Sequence, residues 1–576
     1  MPIKDKIIII SVLIWCIPNI GLARGDMIKG AFGMNIHLRQ RVVENDWSTV
    51  MALAAEAGVQ WGREQFNWDV LEPTDNNYSF TTYDAVITQY QANNIIPVGL
   101  LTYSSAWAST NAGAPDYEFY PPNVVAWQDY VSTVAEHYAG QVEYWEIWNE
   151  PNYSGFWNGT VAEYANILHV AADAIHQVNP NAKVILGGLS GTDSDYLEAV
   201  YAELADDNVI DIVAVHPYRV VDGNYNYTPE EVINGLNSLT VDLYNIKAVL
   251  QRHHQAAIPI WLTEMGWTTA TAGISEQRQA EYLMRLYSLA LAIPNVRKVF
   301  WYSFNDTSST EEYIDAQFGL LNHLYEPKTS YSAYQFVQQH LNRHYFKDQL
   351  LPQYRIIDNF IHNLGWRFAG TVCTDGVLNI TNRSTLQVSY RFTNTTNCYA
   401  PVTLGKSLST HTRVVQFLAK GDASATVLRL RVIDASGETF QYNLGQLPDE
   451  WLYYTVQLNN PSSHWSGNND GKLDRPVQFD SFVLDNRDGA TGSGTVYFDE
   501  LYAGPIANTY LYRYHANKKD TYAYWTTQHT IYPLLTLPSA GHIREQRWQQ
   551  SHHDYRSGNG QYRLRAKREV KFLQTF

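Results

Sequence analysis

Cysteine is nearly absent, with three residues in a chain of 576. That scarcity excludes a disulfide-rich scaffold and a cysteine-built metal centre. Charge is thin as well: Asp, Glu, Lys and Arg make up 17% of the chain, against about 25% in an ordinary globular protein. The net value is −16, and an acidic body argues against a nucleic-acid partner. Residues 504–576 run the other way, with 11 Lys or Arg against 4 Asp or Glu, a diffuse surplus that reads as solvated surface. His-Glu-x-x-His, Gly-rich phosphate loops and Cys–His clusters are missing, so metal hydrolysis, nucleotide chemistry and dinucleotide cofactors have no support.

Long apolar runs are missing too. The longest, Ile7 to Ile17, falls well short of the ~20 residues that span a bilayer. It follows Lys4 and Lys6 and precedes the small residues Gly21 and Ala23, the pattern of a secretory signal peptide over residues 1–23 with cleavage after Ala23. Cys16 follows Trp15 instead of a small residue, which argues against a lipoprotein anchor. The expectation is a secreted protein, extracellular or periplasmic, without a membrane anchor once the signal is cleaved. Cys373 and Cys398 would remain in an oxidising compartment, where a disulfide is favoured over two buried thiols.

What the chain does have is aromatic and β-forming. It carries 17 Trp and 41 Tyr, a surplus that serves either packing or the stacking of sugar faces. Apolar runs recur at Gly30 to Asn35, Gly58 to Arg63, Ile95 to Leu101, Val142 to Trp148, Lys183 to Gly187, Ile210 to Val215, Ile258 to Thr263 and Val296 to Ser303. Amphipathic stretches such as Tyr164 to Gln177 and Glu276 to Ala292 separate them, and Ser332 to Arg343 would add a closing helix. Eight such repeats predict an α/β fold, a (β/α)8 barrel over residues 24–347. From about Gln353 short alternating runs broken by Asn, Gly, Asp and Thr predict a β-sandwich over 350–504. Residues 505–576 carry further β-forming runs, Tyr510 to His515, Asp520 to Thr526 and Tyr532 to Leu537, and read as a small β-domain.

Two of the apolar runs end in carboxylates. The fourth leads into Asn149-Glu150-Pro151 and the seventh into Thr263-Glu264-Met265. In a (β/α)8 barrel the C-terminal strand edge is where side chains converge on a pocket, and two carboxylates across a pocket are the minimal equipment for cleaving a glycosidic bond. The Asn-Glu-Pro tripeptide in this strand context, with a second Glu three βα units later, resembles the clan of retaining barrel glycosidases that includes glycoside hydrolase families 5 and 39. The resemblance covers roughly residues 30 to 340, and its motifs are specific to mechanism instead of substrate. Residues 505–576 resemble the small β-domain that flanks the barrel in many enzymes of this clan, which implies that the sandwich is inserted between barrel and flank.

The resemblance implies Glu150 as acid/base and Glu264 as nucleophile. It assigns Arg63, in Trp61-Gly62-Arg63, to charge stabilisation of the nucleophile and Asn149 to the sugar's 2-hydroxyl. His216 and Tyr218, in Val215-His216-Pro217-Tyr218, match positions that line the subsite, and Trp301, in Phe300-Trp301-Tyr302, matches an aromatic platform. His37 and Trp107 are further pocket candidates, and Glu146 reads as a paired carboxylate of the barrel interior. The implied activity is an exported, monomeric O-glycosyl hydrolase acting on a β-linked oligo- or polysaccharide without a cofactor. A carbohydrate-binding protein on a silent barrel would lack one of the two glutamates or Arg63; a transglycosylase would keep all three.

Residues 350–504 resemble jelly-roll carbohydrate-binding modules in Ile357-Asp358-Asn359-Phe360, in His464-Trp465 before Asn469-Asp470-Gly471, and in Val496-Tyr497-Phe498-Asp499-Glu500-Leu501. Asp358 and Asp499 match positions near a structural calcium site there. Two carboxylates cannot by themselves fill a shell of about 6 to 8 oxygens, and ordinary turn aspartates are the simpler reading.

Overall fold

The structure, a computed structural model, describes residues 30–575 with breaks of at most six residues, among them 232–237, 310–313, 528–533 and 564–569. The expected signal segment lies outside the described residues. Eight strands, β1 (Phe32–Asn35), β2 (Trp61–Asn67), β3 (Ile96–Thr102), β4 (Tyr144–Asn149), β5 (Lys183–Ser190), β6 (Val213–His216), β7 (Ile260–Met265) and β8 (Val296–Trp301), close into a parallel barrel in sequence order. Several read as nearly unbroken apolar runs because a barrel strand is covered on both faces. No helix among the described residues is long and apolar enough to cross a membrane.

Strand parity sorts the side chains. Trp61, Val98, Ile185, Ala214, Trp261 and Phe300 form one cluster and fill the lower lumen. Two residues further along the same strands the inward positions turn polar: Arg63 after Trp61, Glu146 after Tyr144, His216 after Ala214, Thr263 after Trp261. Successive side chains of a strand alternate faces, so an apolar plug lies directly beneath a buried polar layer at the C-terminal edge.

The helices seal the outside. That of Val161–Val178 begins at a capping box in which Thr160 and Glu163 bond each other's backbone N–H groups, satisfying donors that a helix start leaves free. Its buried stripe includes Tyr164, Ile167, Leu168, Ala171 and Ile175, where each large aliphatic contributes about 1.5–3 kcal/mol on burial. The Tyr164 hydroxyl donates to the Ile147 carbonyl at 3.1 Å and accepts from the Gly187 N–H at 2.8 Å, which ties the helix to β4 and β5 just below Glu150.

Residues 355–504 form two six-stranded antiparallel sheets that share one apolar core. Phe482 of one sheet stacks on Phe498 of the other at 4.1 Å. Cys373 and Cys398 are joined by a disulfide. The strand β9 (Tyr345–Leu351), which the expected boundary splits, belongs to neither the barrel nor the sandwich: it pairs with Thr509–Ala516 as the edge of the C-terminal six-stranded sheet. That sheet lies on the barrel, with Tyr514 bonded to the Ser288 carbonyl at 2.6 Å and Trp548 to Ser332 at 3.1 Å, and its aromatic rings join the barrel's own core.

Candidate active site

Arg63 is the hub of the polar layer. It is fully buried, with Nε and Nη2 donating to Glu146 at 2.8 and 3.0 Å, Nη1 to Glu264 at 2.6 Å and to Asn35 at 3.1 Å, and Nη2 also to Asn149 at 3.0 Å. Burial pulls its pKa down, but Glu146 and Glu264 more than reverse this, so the guanidinium stays charged. Glu146 also accepts from the Gly188 N–H at 2.9 Å, which makes it the paired interior carboxylate its sequence position suggests.

Glu264 reaches the pocket through an irregularity. Leu262 pairs with Val299 and Met265 with Trp301, so the end of β7 carries one more residue than the facing stretch of β8. An extra residue re-aims a side chain, and Glu264 turns inward beside Thr263. Burial would raise its pKa, yet His216, Arg63, His37 and the Tyr218 hydroxyl, which donates to Oε2 at 2.9 Å, hold it at about 2. It is a carboxylate at every physiological pH.

Glu150 sits one residue beyond β4 with φ of 45°, and Trp148 before it has φ of 70°, a conformation rare for residues other than glycine. The turn is held by the Glu150 N–H on the Gly188 carbonyl at 3.0 Å and by the Trp148 indole on the Phe156 carbonyl at 2.8 Å. His216 stands between the two glutamates. Its Nδ1 is 2.9 Å from Glu150 and 3.9 Å from Glu264, and its Nε2 is 3.1 Å from the Thr263 hydroxyl. Burial lowers the pKa of His216, but Glu264 and Glu150 outweigh that and raise it above its ordinary value.

Of the residues expected from sequence, Glu150, Glu264, Arg63, Asn149, His216 and Tyr218 are brought together. His37 joins them from the turn after β1: burial, Arg41 and Arg63 lower its pKa to about 3, leaving a neutral ring edge-on to Tyr302 at 6.3 Å. Trp301 is a correction. It is completely buried, its indole bonded to the Phe318 carbonyl at 3.0 Å. Phe300 points into the lumen, so parity turns Trp301 out toward the helices and brings Tyr302 inward. The ring of Tyr302 lies edge-on to Tyr218 at 6.2 Å and near Phe318. Trp107 bonds the Glu72 carbonyl at 3.1 Å and packs on Trp68.

Tyr302, Asn35, Thr263 and Tyr103, which lies beside Asn149, were not signalled by any motif; for Asn35 and Thr263 the available signal was a polar residue ending an apolar run. In the sandwich, Asp358 is spent on the Phe360 N–H and the Trp366 indole, both at 2.7 Å, and Asp499 accepts from Thr385. Among the described residues no group of three or more His, Cys, Asp and Glu is placed to hold a metal ion.

A closed (β/α)8 barrel that presents two carboxylates, an ion-paired arginine and an aromatic wall at its C-terminal edge defines a barrel glycosidase. The chain belongs to the glycosyl hydrolases family 39, whose model matches residues 67–359, and it is a glycoside hydrolase. It is 22% identical over 357 residues to endo-1,4-beta-xylanase B of Thermotoga neapolitana, a match that covers 56% of this chain and 95% of that protein. It is 26% identical over 156 residues to a beta-xylosidase of Geobacillus stearothermophilus, covering 24% of this chain and 31% of the other. Among solved structures, a family 39 glycoside hydrolase from Bacteroides cellulosilyticus WH2 superposes with a TM-score of 0.49 at 21% identity, over 79% of this chain and 81% of that one.

Proposed function

We propose that this chain is an exported, monomeric, retaining β-glycosidase that acts on xylosidic linkages, with Glu264 as nucleophile and Glu150 as acid/base. The observation that carries the reading is the unequal surroundings of the two carboxylates: Glu264 receives Arg63 at 2.6 Å and Tyr218 at 2.9 Å, whereas the side-chain carboxyl of Glu150 has His216 as its one hydrogen-bonding partner among the described residues. A pair of carboxyl groups with contrasting environments is how acid and nucleophile roles are divided. Because one nitrogen lies 2.9 Å from Oε1 of Glu150 and 3.9 Å from Oε2 of Glu264, those two oxygens cannot stand farther apart than the two lengths laid end to end. That ceiling favours the roughly 5–5.5 Å of a retaining pair over the ~9 Å of a wide inverting one.

In the first step Glu150 gives its proton to the glycosidic oxygen while an oxygen of Glu264 attacks the anomeric carbon, so the leaving alcohol departs and a glycosyl ester forms. In the second, Glu150 takes a proton from water, which attacks the same carbon from the face the alcohol left and releases Glu264 as carboxylate. Asn149, which accepts from Arg63, takes the sugar's 2-hydroxyl in this reading, and Tyr302 supplies the aromatic wall. The xylanase and beta-xylosidase relatives support the choice of xylosidic substrate. The N-terminal signal pattern and the Cys373–Cys398 disulfide support export, since such bonds persist in oxidising compartments. The sandwich, inserted between β9 and its partner strand, acts as a sugar-binding accessory module.

NMR of the first sugar released from a β-xyloside tests the mechanism. It should show the β-anomer, and a 2-fluoro xyloside should label Glu264. Release of the α-anomer, or a label on another residue, overturns the assignment.

A further inference from the structure

The loop that follows β6 carries Tyr218, whose hydroxyl bonds Glu264, and it is pinned from outside the barrel. Trp525, fully buried in the C-terminal sheet on the strand Lys519–Thr526, donates its indole N–H to Oε1 of Glu230 at 2.6 Å. Glu230 belongs to the same loop as Tyr218, and its side chain is 3% exposed. Arg285, on the helix Glu276–Ala290, closes the contact from the third side: one guanidinium nitrogen is 3.8 Å from Glu230 and the other donates to the Thr526 carbonyl at 3.4 Å. The next residue, Glu231, accepts through its carbonyl from Arg219 at 3.1 Å, and Arg219 is ion-paired with Asp242 at 2.7 Å. Arg219 immediately follows Tyr218 in the chain.

The Trp525 ring has little freedom to follow a moving loop. It stacks on Tyr510 at 5.0 Å and on Tyr512 at 5.5 Å, both nearly parallel to it. A buried carboxylate needs its donors, so the loop end at Glu230 is fixed to a rigid aromatic stack on a separate sheet, and the Arg219 contacts carry that fixation back to Tyr218. We propose that Trp525 and Glu230 are positioning residues of the glycosidase: the C-terminal sheet clamps the loop after β6 so that the Tyr218 hydroxyl stays on Glu264. The inference rests on the reading of Glu264 as the group that must remain ionised for attack.

The test uses the full chain and the pH profile of kcat/KM on an aryl β-xyloside, whose acid limb reports the free enzyme's nucleophile. Tyr218→Phe removes the hydrogen bond directly and should move the acid limb to higher pH. Trp525→Phe keeps the aromatic stack but deletes the indole donor. It should move the limb the same way and lower kcat by about tenfold, the scale expected when a catalytic contact is misplaced by a fraction of an ångström. Trp525→Phe combined with Tyr218→Phe should shift the limb no further than Tyr218→Phe alone, because both act on one contact. Glu230→Gln, which keeps an acceptor for the indole, should lie between wild type and Glu230→Leu. If Tyr218→Phe shifts the limb while Trp525→Phe melts earlier but keeps the wild-type limb and kcat, the sheet is scaffold alone and the clamp is wrong. If Tyr218→Phe itself leaves the limb in place, the role of Tyr218 on Glu264 fails, and the clamp with it. Should Trp525→Phe not fold, Glu230→Leu, which keeps Trp525 and the sheet intact, carries the same comparison.

Discussion

One ring nitrogen of His216 lies 2.9 Å from Glu150, and a methyl group placed on Gly188 would stand 2.1 Å from the other. The glycine on β5 is therefore what lets the imidazole reach between the glutamates. Any side chain there collides with His216 and with Thr263, whose hydroxyl is 2.7 Å from the same point.

Gly188→Ala should consequently push His216 out of line. The expected loss in kcat is roughly a hundredfold, since misplacement of a group near the reacting atoms by about 1 Å has that effect, with destabilisation of about 1–3 kcal/mol from overpacking. Steady-state kinetics beside a thermal melt checks it; near-normal turnover would show that His216 has room to move.

The raised pKa of His216 makes a prediction about stability with a definite sign. A group whose folded pKa exceeds its unfolded one stabilises the fold fully below the unfolded value, about 6.5 for histidine, and loses that contribution as pH rises through the folded value. Each unit of difference is worth about 1.4 kcal/mol. The gap in melting temperature between wild type and His216→Asn should be widest near pH 5.5 and narrow toward pH 9. A gap that widens with pH would mean that burial, not the carboxylates Glu264 and Glu150, dominates this ring.

Most of the barrel was legible in the sequence because each strand is apolar for nearly its whole length and each carboxylate sits just past such a run. β2 is the exception. Its expected run stops at Arg63, whereas the strand continues to Asn67, because Arg63 and Glu64 are charged yet fully buried, each satisfied by partners remote in sequence. For Glu64 these are the Leu38 N–H at 2.7 Å and the Tyr90 hydroxyl at 3.0 Å. Composition cannot signal such pairing.

The Trp301 and Tyr302 exchange has a different origin. Two adjacent aromatics at a strand end are equal in propensity, and only the register set by Phe300 in the lumen decides which faces the pocket. The extra residue that turns Glu264 inward and the pairing of β9 with a strand more than 150 residues later are likewise set by long-range contacts, which no local pattern reports.

On the sandwich, Arg431 lies between two rings of one sheet face, 5.4 Å from the centre of Tyr399 and 5.2 Å from that of Trp465, and donates to Gln441 at 2.9 Å. Trp465 is 36% exposed. An aromatic ring partly open to solvent beside fixed polar groups suits a sugar, whose faces are apolar and whose edges are hydroxyl-lined. With Glu264→Ala in the full chain to prevent digestion, Trp465→Ala should weaken retention on insoluble xylan by roughly threefold to tenfold, the worth of one ring contact of about 0.5–1.5 kcal/mol. Identical retention with and without the ring would leave the sandwich as a spacer.

The division of labour between the glutamates makes the sharpest prediction for Glu150. General acid catalysis is worth about 10²–10⁴-fold where the leaving group is a poor one, and an activated aryl leaving group needs little protonation. Glu150→Ala should therefore lose far more activity on a xylo-oligosaccharide than on a dinitrophenyl xyloside. On the aryl substrate the glycosyl ester at Glu264 should then accumulate, because its hydrolysis lacks a base. Azide, a nucleophile that needs no deprotonation, should restore turnover and yield the β-glycosyl azide, since it attacks from the face where Glu150 stood. Equal losses on both substrates, or no rescue, would remove Glu150 from the acid/base role and leave its contact with His216 as its only assigned part in the site.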